Sequence, residues 1–202
     1  MNKKQKQGAL LVLIGLCMVL AAMFLHTTQE RQDMQAGENA AVLLEQLELS
    51  RMSVPSPKPT EEAEPIAPQE TRMPEKKYLG YTMIGTLRVP AVGIELPILQ
   101  DWSYPLLNVA PCRYTGSAAE GNMILMGHNY KRHFAPLRQV SPGDRVEFLD
   151  ASGSSHAYVV AGTEVLKPTQ LDELTVSESA LTIFTCTPGG YGRFVVRCDP
   201  IR

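Results

Sequence analysis

Three residues of this chain could together form a nucleophile, a proton carrier and a fixed positive charge: Cys186, His128 and Arg193. Cys186 ends an apolar strand pattern and begins a glycine-rich loop, and Arg193 opens the next strand pattern. Antiparallel strands joined by so short a loop would bring Cys186 and Arg193 together at its base. His128 follows another apolar run directly, at a strand end. A thiol with an ordinary pKa of about 8.5 needs such a neighbour to become a thiolate. The pattern therefore predicts nucleophilic catalysis.

The sequence alone leaves three other interpretations of these residues open. Cys186 could be a buried cysteine that packs as a small apolar side chain. A zinc site could use the H-x4-H pair of His128 and His133 with Cys186 and Cys198, although a CxxC partner is missing. A disulfide between Cys112 and Cys198 is chemically possible in an extracellular domain.

The other polar residues offer weaker signals. His156 lies on the polar positions of a predicted hairpin and is read as a surface residue. The acids near Glu120 and Asp144 form no recognisable calcium loop. We expect no metal and no cofactor.

The elements that must position these residues follow a β pattern. Short apolar or alternating runs are separated by glycine and proline turns, at residues 84–90, 94–99, 122–127, 145–149, 156–160, 181–185 and 193–197. This spacing predicts a mainly β fold, a closed or nearly closed barrel with short helices. Twelve of the thirteen aromatic residues lie in 78–202, so that range is predicted as the one globular domain.

An apolar run precedes the domain. Residues 8–25 form 18 uncharged positions behind Lys3, Lys4 and Lys6. Eighteen helical residues span roughly 27 Å, enough for a bilayer core. A signal peptide would have a shorter apolar run and a small-x-small cleavage site. We expect an uncleaved transmembrane anchor, with residues 1–7 cytoplasmic and the rest extracellular.

Residues 26–77 are predicted as an acidic, proline-rich extracellular stalk. Residues 38–50 have a helical pattern, and residues 51–77 contain six prolines among Glu, Thr and Ser. Such a stretch buries too little apolar surface to fold, so a disordered, semi-rigid spacer is expected.

The composition excludes two classes of protein. Nineteen basic and 21 acidic residues give a formal net charge of −2, which argues against a nucleic-acid binder. Four cysteines in 202 residues are too sparse for a disulfide scaffold.

The local sequences resemble the sortases, membrane-anchored cysteine transpeptidases of Gram-positive bacteria. The resemblance covers nearly all of 78–202 and includes IGTLRVPAVGIELPI at 84–98, GHN at 127–129 and LTIFTC at 181–186. It implies a sortase-type closed β-barrel in which Cys186 is the nucleophile, His128 the acid/base and Arg193 the essential arginine. Such enzymes cleave an LPXTG-like motif of secreted proteins between Thr and Gly through a thioester. An amine acceptor of the cell wall, such as a peptidoglycan precursor or a pilin, then takes the product.

Some details of the resemblance stay open. Arg197 shares the face of Arg193 along the strand and is a second candidate, although Arg193 is nearer. Thr185 is expected to shape the substrate site, and residues 164–180 are expected to recognise the motif. The absence of a second apolar span argues against a pilin polymerase. The HNYKRHF segment and the short TPGG loop are most similar to the class B or class D-like type. The alternative function is a non-catalytic, surface-displayed binding domain with a sortase-like barrel.

Overall fold

The computed structural model describes residues 3–52, 73–176 and 178–201. It consists of one long N-terminal helix and a barrel. The helix, α1, runs from Lys3 to Met52 without interruption. It is the one helix of the described residues that is long and apolar enough to cross a membrane, and its most apolar stretch is exposed. This agrees with the predicted anchor.

Nine strands form a single sheet that closes on itself. They are β1 (Lys76–Tyr78), β2 (Tyr81–Val89), β3 (Ile94–Leu99), β4 (Cys112–Thr115), β5 (Met123–Gly127), β6 (Arg145–Asp150), β7 (Ser155–Leu166), β8 (Leu181–Cys186) and β9 (Arg193–Pro200). Their order is β1-β2-β3-β4-β5-β8-β9-β7-β6, and β2 also pairs with β6. Eight strands thus close a barrel, and β1 extends it at β2. The predicted mainly β fold is confirmed.

Between the described strands lie two short α-helices, α2 (Tyr104–Leu107) and α3 (Asp172–Thr175). Three 3-10 helices also connect strands, at Pro90–Val92, Ala135–Gln139 and Pro188–Gly190. The Ser103 hydroxyl caps α2 by accepting a bond from the Leu106 backbone N–H, as expected of a helix N-cap. Leu174 of α3 packs on the outside of the barrel, so the loop between β7 and β8 lies against the sheet.

Alternation along the strands separates the barrel interior from its outer face. In β8, Leu181 and Ile183 belong to the main core cluster, whereas Phe184 belongs to a separate cluster outside the barrel. In β9, Val196 faces the core and Val195 faces the outer cluster. This period of two is the strand pattern that the sequence predicts.

The structure differs from the expected stalk. Residues 26–52 continue α1 instead of forming a linker. The side chains of Leu43 and Leu47 are buried against Leu99 and Leu107 of the barrel. The helical pattern at 38–50 was read correctly, but its apolar side faces the domain. The proline-rich residues 53–72 lie outside the described residues.

Candidate active site

The three predicted residues lie at neighbouring strand ends. Strands β5 and β8 are parallel, with Gly127 opposite Thr185. His128 and Cys186 each follow by one residue, so both chains leave the sheet at the same edge. Strand β9 pairs with β8 on its other side, with Arg193 opposite Cys186. At this edge Cys186 and Arg193 are a cross-strand pair, and the His128 backbone continues their row one residue beyond the last paired residue of β5.

This row is the last of three on the outer face of the sheet. The row below it contains Met126, Phe184 and Val195, and the next contains Ile124, Thr182 and Arg197. Successive rows on one face are about 6.6 Å apart. The candidate site thus adjoins an apolar patch, which Leu171 and Leu174 of the β7–β8 loop and Tyr114 of β4 help to cover.

The loop between β8 and β9 is closed by Thr187. Its backbone N–H donates to the Gly192 carbonyl at 3.0 Å, and its hydroxyl accepts from the Gly192 N–H at 2.9 Å. Gly189 and Gly190 have φ angles of 80° and 77°, which favour glycine. Arg193 Nη1 donates to the Gly192 carbonyl at 3.1 Å. The loop therefore holds the guanidinium beside the strand end.

Gly127 positions the segment that follows β5. A Cβ atom at Gly127 would lie 2.6 Å from the Phe134 ring, so glycine is required for this close packing. Phe134 is fully buried, and its backbone N–H donates to the His128 carbonyl at 3.2 Å. The chain therefore folds back directly after His128, which fixes the backbone of that residue.

Thr185 lies beneath the site instead of lining it. The residue is 1% exposed, and its hydroxyl donates to the Gly127 carbonyl at 2.8 Å. This bond links the ends of β8 and β5, one residue before Cys186 and His128. The sequence predicted a substrate-shaping role; the structure places the side chain where it ties the two strands together.

The environment of His128 favours a neutral imidazole. The ring is half-buried and lies against Tyr130, with 4.7 Å between ring centroids. Burial lowers the pKa of His128 from its ordinary value, because the charged form loses solvation. A neutral imidazole can accept a proton from a thiol.

The four cysteines are all free thiols. Cys186 is partly exposed, whereas Cys112 and Cys198 are fully buried. Burial raises the pKa of both Cys112 and Cys198 to about 12. They lie in different core clusters, so the disulfide considered from the sequence is not formed. Within the barrel, Cys186 is therefore the thiol suited to nucleophilic attack.

Arg197 is held in a different place from Arg193. Its Nε donates to Glu164 at 2.8 Å and its Nη1 to the Thr182 hydroxyl at 3.1 Å. Its remaining bonds reach the carbonyls of Glu173 and Leu174 at 2.9 and 3.2 Å. These contacts attach the β7–β8 loop to the sheet and engage the whole guanidinium. Arg193 is thus the arginine beside Cys186.

The described part of the chain does not support the hypothesis of a zinc site. Among its residues, no three His, Cys, Asp or Glu side chains are grouped as a metal ion requires. His133 is buried beneath α1, where its Nε2 bonds to the Ala36 carbonyl at 3.3 Å. The sequence analysis considered His133 only as a zinc ligand and assigned no role to Tyr130. No pattern in the sequence predicted that their rings would contact each other.

Comparisons with known proteins agree with this geometry. The Sortase domain family model matches residues 87–201. Sortase A of Bacillus anthracis is 24% identical over 110 residues, which cover 52% of each chain. This chain thus matches about half the length of that curated relative.

Solved sortase structures share the barrel. A sortase D5 transpeptidase of Clostridium perfringens superimposes with a TM-score of 0.54 at 20% identity, over 59% of this chain and 79% of that one. Sortase C1 of Streptococcus agalactiae gives 0.51 at 24% identity, over 59% and 68%. The predicted class B or D-like type stays a prediction, because the similar structures carry class A, C and D names. The barrel and the match over 87–201 together show that the chain belongs to the sortase family.

Proposed function

We propose that this protein is a membrane-anchored cysteine transpeptidase that uses Cys186, His128 and Arg193. The observation that carries the proposal is their common row at the ends of β5, β8 and β9, in a chain of the sortase family. Opposed residues of an antiparallel pair have Cα atoms about 4.5–5.5 Å apart, so Arg193 is within reach of a group bound to Cys186.

The first half-reaction forms a thioester. His128 takes the proton of the Cys186 thiol, and the thiolate sulfur attacks the carbonyl carbon of the scissile peptide bond. Arg193 stabilises the negative charge that develops on the carbonyl oxygen. When the tetrahedral intermediate collapses, the C–N bond breaks, and His128 returns its proton to the leaving amine.

The second half-reaction releases the acyl group. An amine acceptor attacks the thioester carbonyl, and His128 removes the proton of the attacking nitrogen. As the new amide forms, the C–S bond breaks and His128 passes this proton to the leaving sulfur, which regenerates the Cys186 thiol. The enzyme is then restored without any external oxidant or reductant.

The apolar patch beside the site suits the substrate class that the family resemblance implies. Met126 and Tyr114 are half-buried and belong to the patch that adjoins the Cys186 row. They offer an apolar surface for the Leu-Pro end of an LPXTG-like motif. The acceptor we propose is a cell-wall amine, such as a peptidoglycan precursor or a pilin.

We also propose the orientation of the anchor. The basic residues Lys3, Lys4 and Lys6 precede the apolar part of α1, and basic flanks stay on the cytoplasmic side. The barrel then lies outside the cell, where secreted proteins carrying the motif are met.

The test uses the full chain in detergent with a panel of sorting-motif peptides, with and without an amine acceptor. We expect cleavage, faster product formation with the acceptor, and a thioester on Cys186 detectable by mass spectrometry. Cys186→Ala should abolish all three, whereas the matched control Cys17→Ala, which removes a thiol from α1, should leave them intact. Turnover by Cys186→Ala would overturn the proposal. Peptide binding without cleavage or thioester would instead identify a non-catalytic binding domain.

A further inference from the structure

Helix α1 docks on the barrel beyond its apolar run. Ala36, Ala40, Leu43 and Leu47 are at most 2% exposed. Their spacing of four, three and four residues places them on one helix face. This buried face is distinct from the exposed apolar residues nearer the N-terminus. The helix therefore has a docking segment as well as an anchor.

The docking segment contacts the loop that follows His128. Gly37 lies directly beneath Arg132: a Cβ atom there would be 2.0 Å from Arg132 Cδ. One residue earlier, the Ala36 carbonyl is bonded to His133 Nε2 at 3.3 Å. The absence of a side chain at Gly37 thus permits the helix backbone to approach this loop.

The hydrogen bond to Ala36 determines which nitrogen of the His133 ring carries the proton. A carbonyl oxygen only accepts, so Nε2 must carry the proton. The Nδ1 atom is buried and has no hydrogen-bond partner among the described residues. A second proton there would place a charge in a buried site, and the loss of solvation outweighs the attraction of Asp33. His133 is thus held as a neutral ring in one orientation.

Aromatic contacts lead from His133 to His128. The ring of Tyr130 lies 5.5 Å from that of His133 and 4.7 Å from that of His128, measured between centroids. The Tyr130 carbonyl also accepts the backbone N–H groups of His133 and Ala135, each at 3.0 Å. Tyr130 is therefore held between the docked part of the loop and His128.

We propose that α1 positions His128 through His133 and Tyr130, which act as positioning residues for the reaction. This inference rests on the proposed function, because it assigns a purpose to the placement of His128. Displacing α1 from the loop should let Tyr130 move away and expose the His128 ring to water.

A groove between α1 and the loops that follow β5 and β8 shows that α1 lies near the candidate site. Its volume is about 520 Å³, and it lies between Asp33 of α1, Tyr130 and the loop glycine Gly189. Helix α1 thus forms one wall beside the loops that follow His128 and Cys186.

The measurement is the titration of His128, followed by NMR of the ¹³C-labelled histidine ring in the full chain. Gly37→Leu places a side chain where Arg132 lies, and Ala41→Leu puts the same side chain on an exposed position of the same helix. We expect the pKa of His128 to rise toward its ordinary value in Gly37→Leu, because the ring becomes more solvated. It should stay unchanged in Ala41→Leu.

A second pair of variants covers the case in which Gly37→Leu does not fold. His133→Leu removes the donor to Ala36, whereas His133→Gln keeps an N–H at a similar distance. The first should raise the pKa of His128 and lower kcat at unchanged KM, and the second should restore both. Both variants leave unchanged the other titratable or charged groups near His133. These are His128, Tyr130, Asp33, Glu95, Lys131 and Arg132.

The inference is overturned if His128 titrates alike in wild type, His133→Leu and any folded Gly37→Leu protein. Because the titration needs no substrate, this result is separate from a failure of the proposed function, which the Cys186→Ala experiment reports.

Discussion

Cys186 and Arg193 lie directly opposite each other where β8 and β9 part. Four residues along β9, Arg197 lies opposite Thr182 and bonds to its hydroxyl. Both arginines are on the same strand face, but one borders the free thiol and the other attaches the β7–β8 loop. Their different surroundings lead to opposite expectations for the same substitution.

Arg193→Gln should impair catalysis with little effect on stability. Loss of a charged group beside the developing oxyanion is expected to lower kcat/KM by about 10²–10³-fold, while the thermal midpoint stays near that of wild type. Arg197→Gln is the matched control. It should lower the free energy of unfolding by about 1–3 kcal/mol, because the carbonyls of Glu173 and Leu174 lose their donor. Peptide cleavage and denaturant unfolding measure the two effects, and the reverse pattern would make Arg197 the active-site arginine.

Thr185→Val should loosen the junction of β5 and β8. The substitution preserves shape but removes the hydroxyl bonded to the Gly127 carbonyl. A lost hydrogen bond of this kind costs about 1 kcal/mol, measured by urea unfolding. Thr185→Ser keeps the hydroxyl and should recover most of that loss. If the valine variant loses substrate affinity at unchanged stability, Thr185 contacts the substrate after all.

His133 should make the protein less stable in acid. Burial lowers its pKa to about 4, whereas an unfolded histidine titrates near 6.5. Between these values the unfolded chain binds a proton that the folded chain does not, so stability falls as the pH decreases from 6.5 to 4. The full difference is about 3 kcal/mol. Unfolding free energies at pH 7, 5.5 and 4 should show this loss in wild type and less of it in His133→Gln. Equal slopes would show that His133 is solvated.

Alkylation should distinguish the cysteines of the barrel. In a Cys17→Ala background, iodoacetamide should modify Cys186 at neutral pH and leave the fully buried Cys112 and Cys198 unmodified. Their pKa near 12 leaves almost no thiolate, which is the reactive form. In denaturant all three should react. Peptide mapping by mass spectrometry reads out the sites, and rapid labelling of Cys198 in the native protein would contradict the buried arrangement.

The sequence predicted the parts of the site that depend on local pattern. Cys186 and Arg193 are joined by a short glycine-rich loop, so an antiparallel pair places them together. The alternating runs predicted most strands, although β1, β4 and the full length of β7 were missed. Strand β4 is short and follows a proline, and the second half of β7 is largely exposed, so neither gives a regular apolar pattern.

The sequence pattern did not predict the long-range contacts. The parallel pairing of β5 with β8 joins residues almost sixty positions apart, and it sets the ends of the two strands, before His128 and Cys186, side by side. Similarly, Ala36 and Gly37 are small residues that fit many surroundings, so nothing in their types indicated a contact with Arg132 and His133. The hydroxyl of Thr185 bonds to Gly127 of the neighbouring strand, a contact that the local sequence does not indicate.

Because α1 is continuous, it fixes the distance between its apolar run and the barrel. Ala36, at the docking contacts, lies eleven positions after Leu25, the end of the apolar run, a rise of about 17 Å in a helix. A barrel attached in this way cannot sample distant space as one on a flexible tether would. With the proposed anchor and function, the barrel would meet its substrates in a thin layer next to the bilayer, where partners held in the same membrane are concentrated and freely diffusing ones are not.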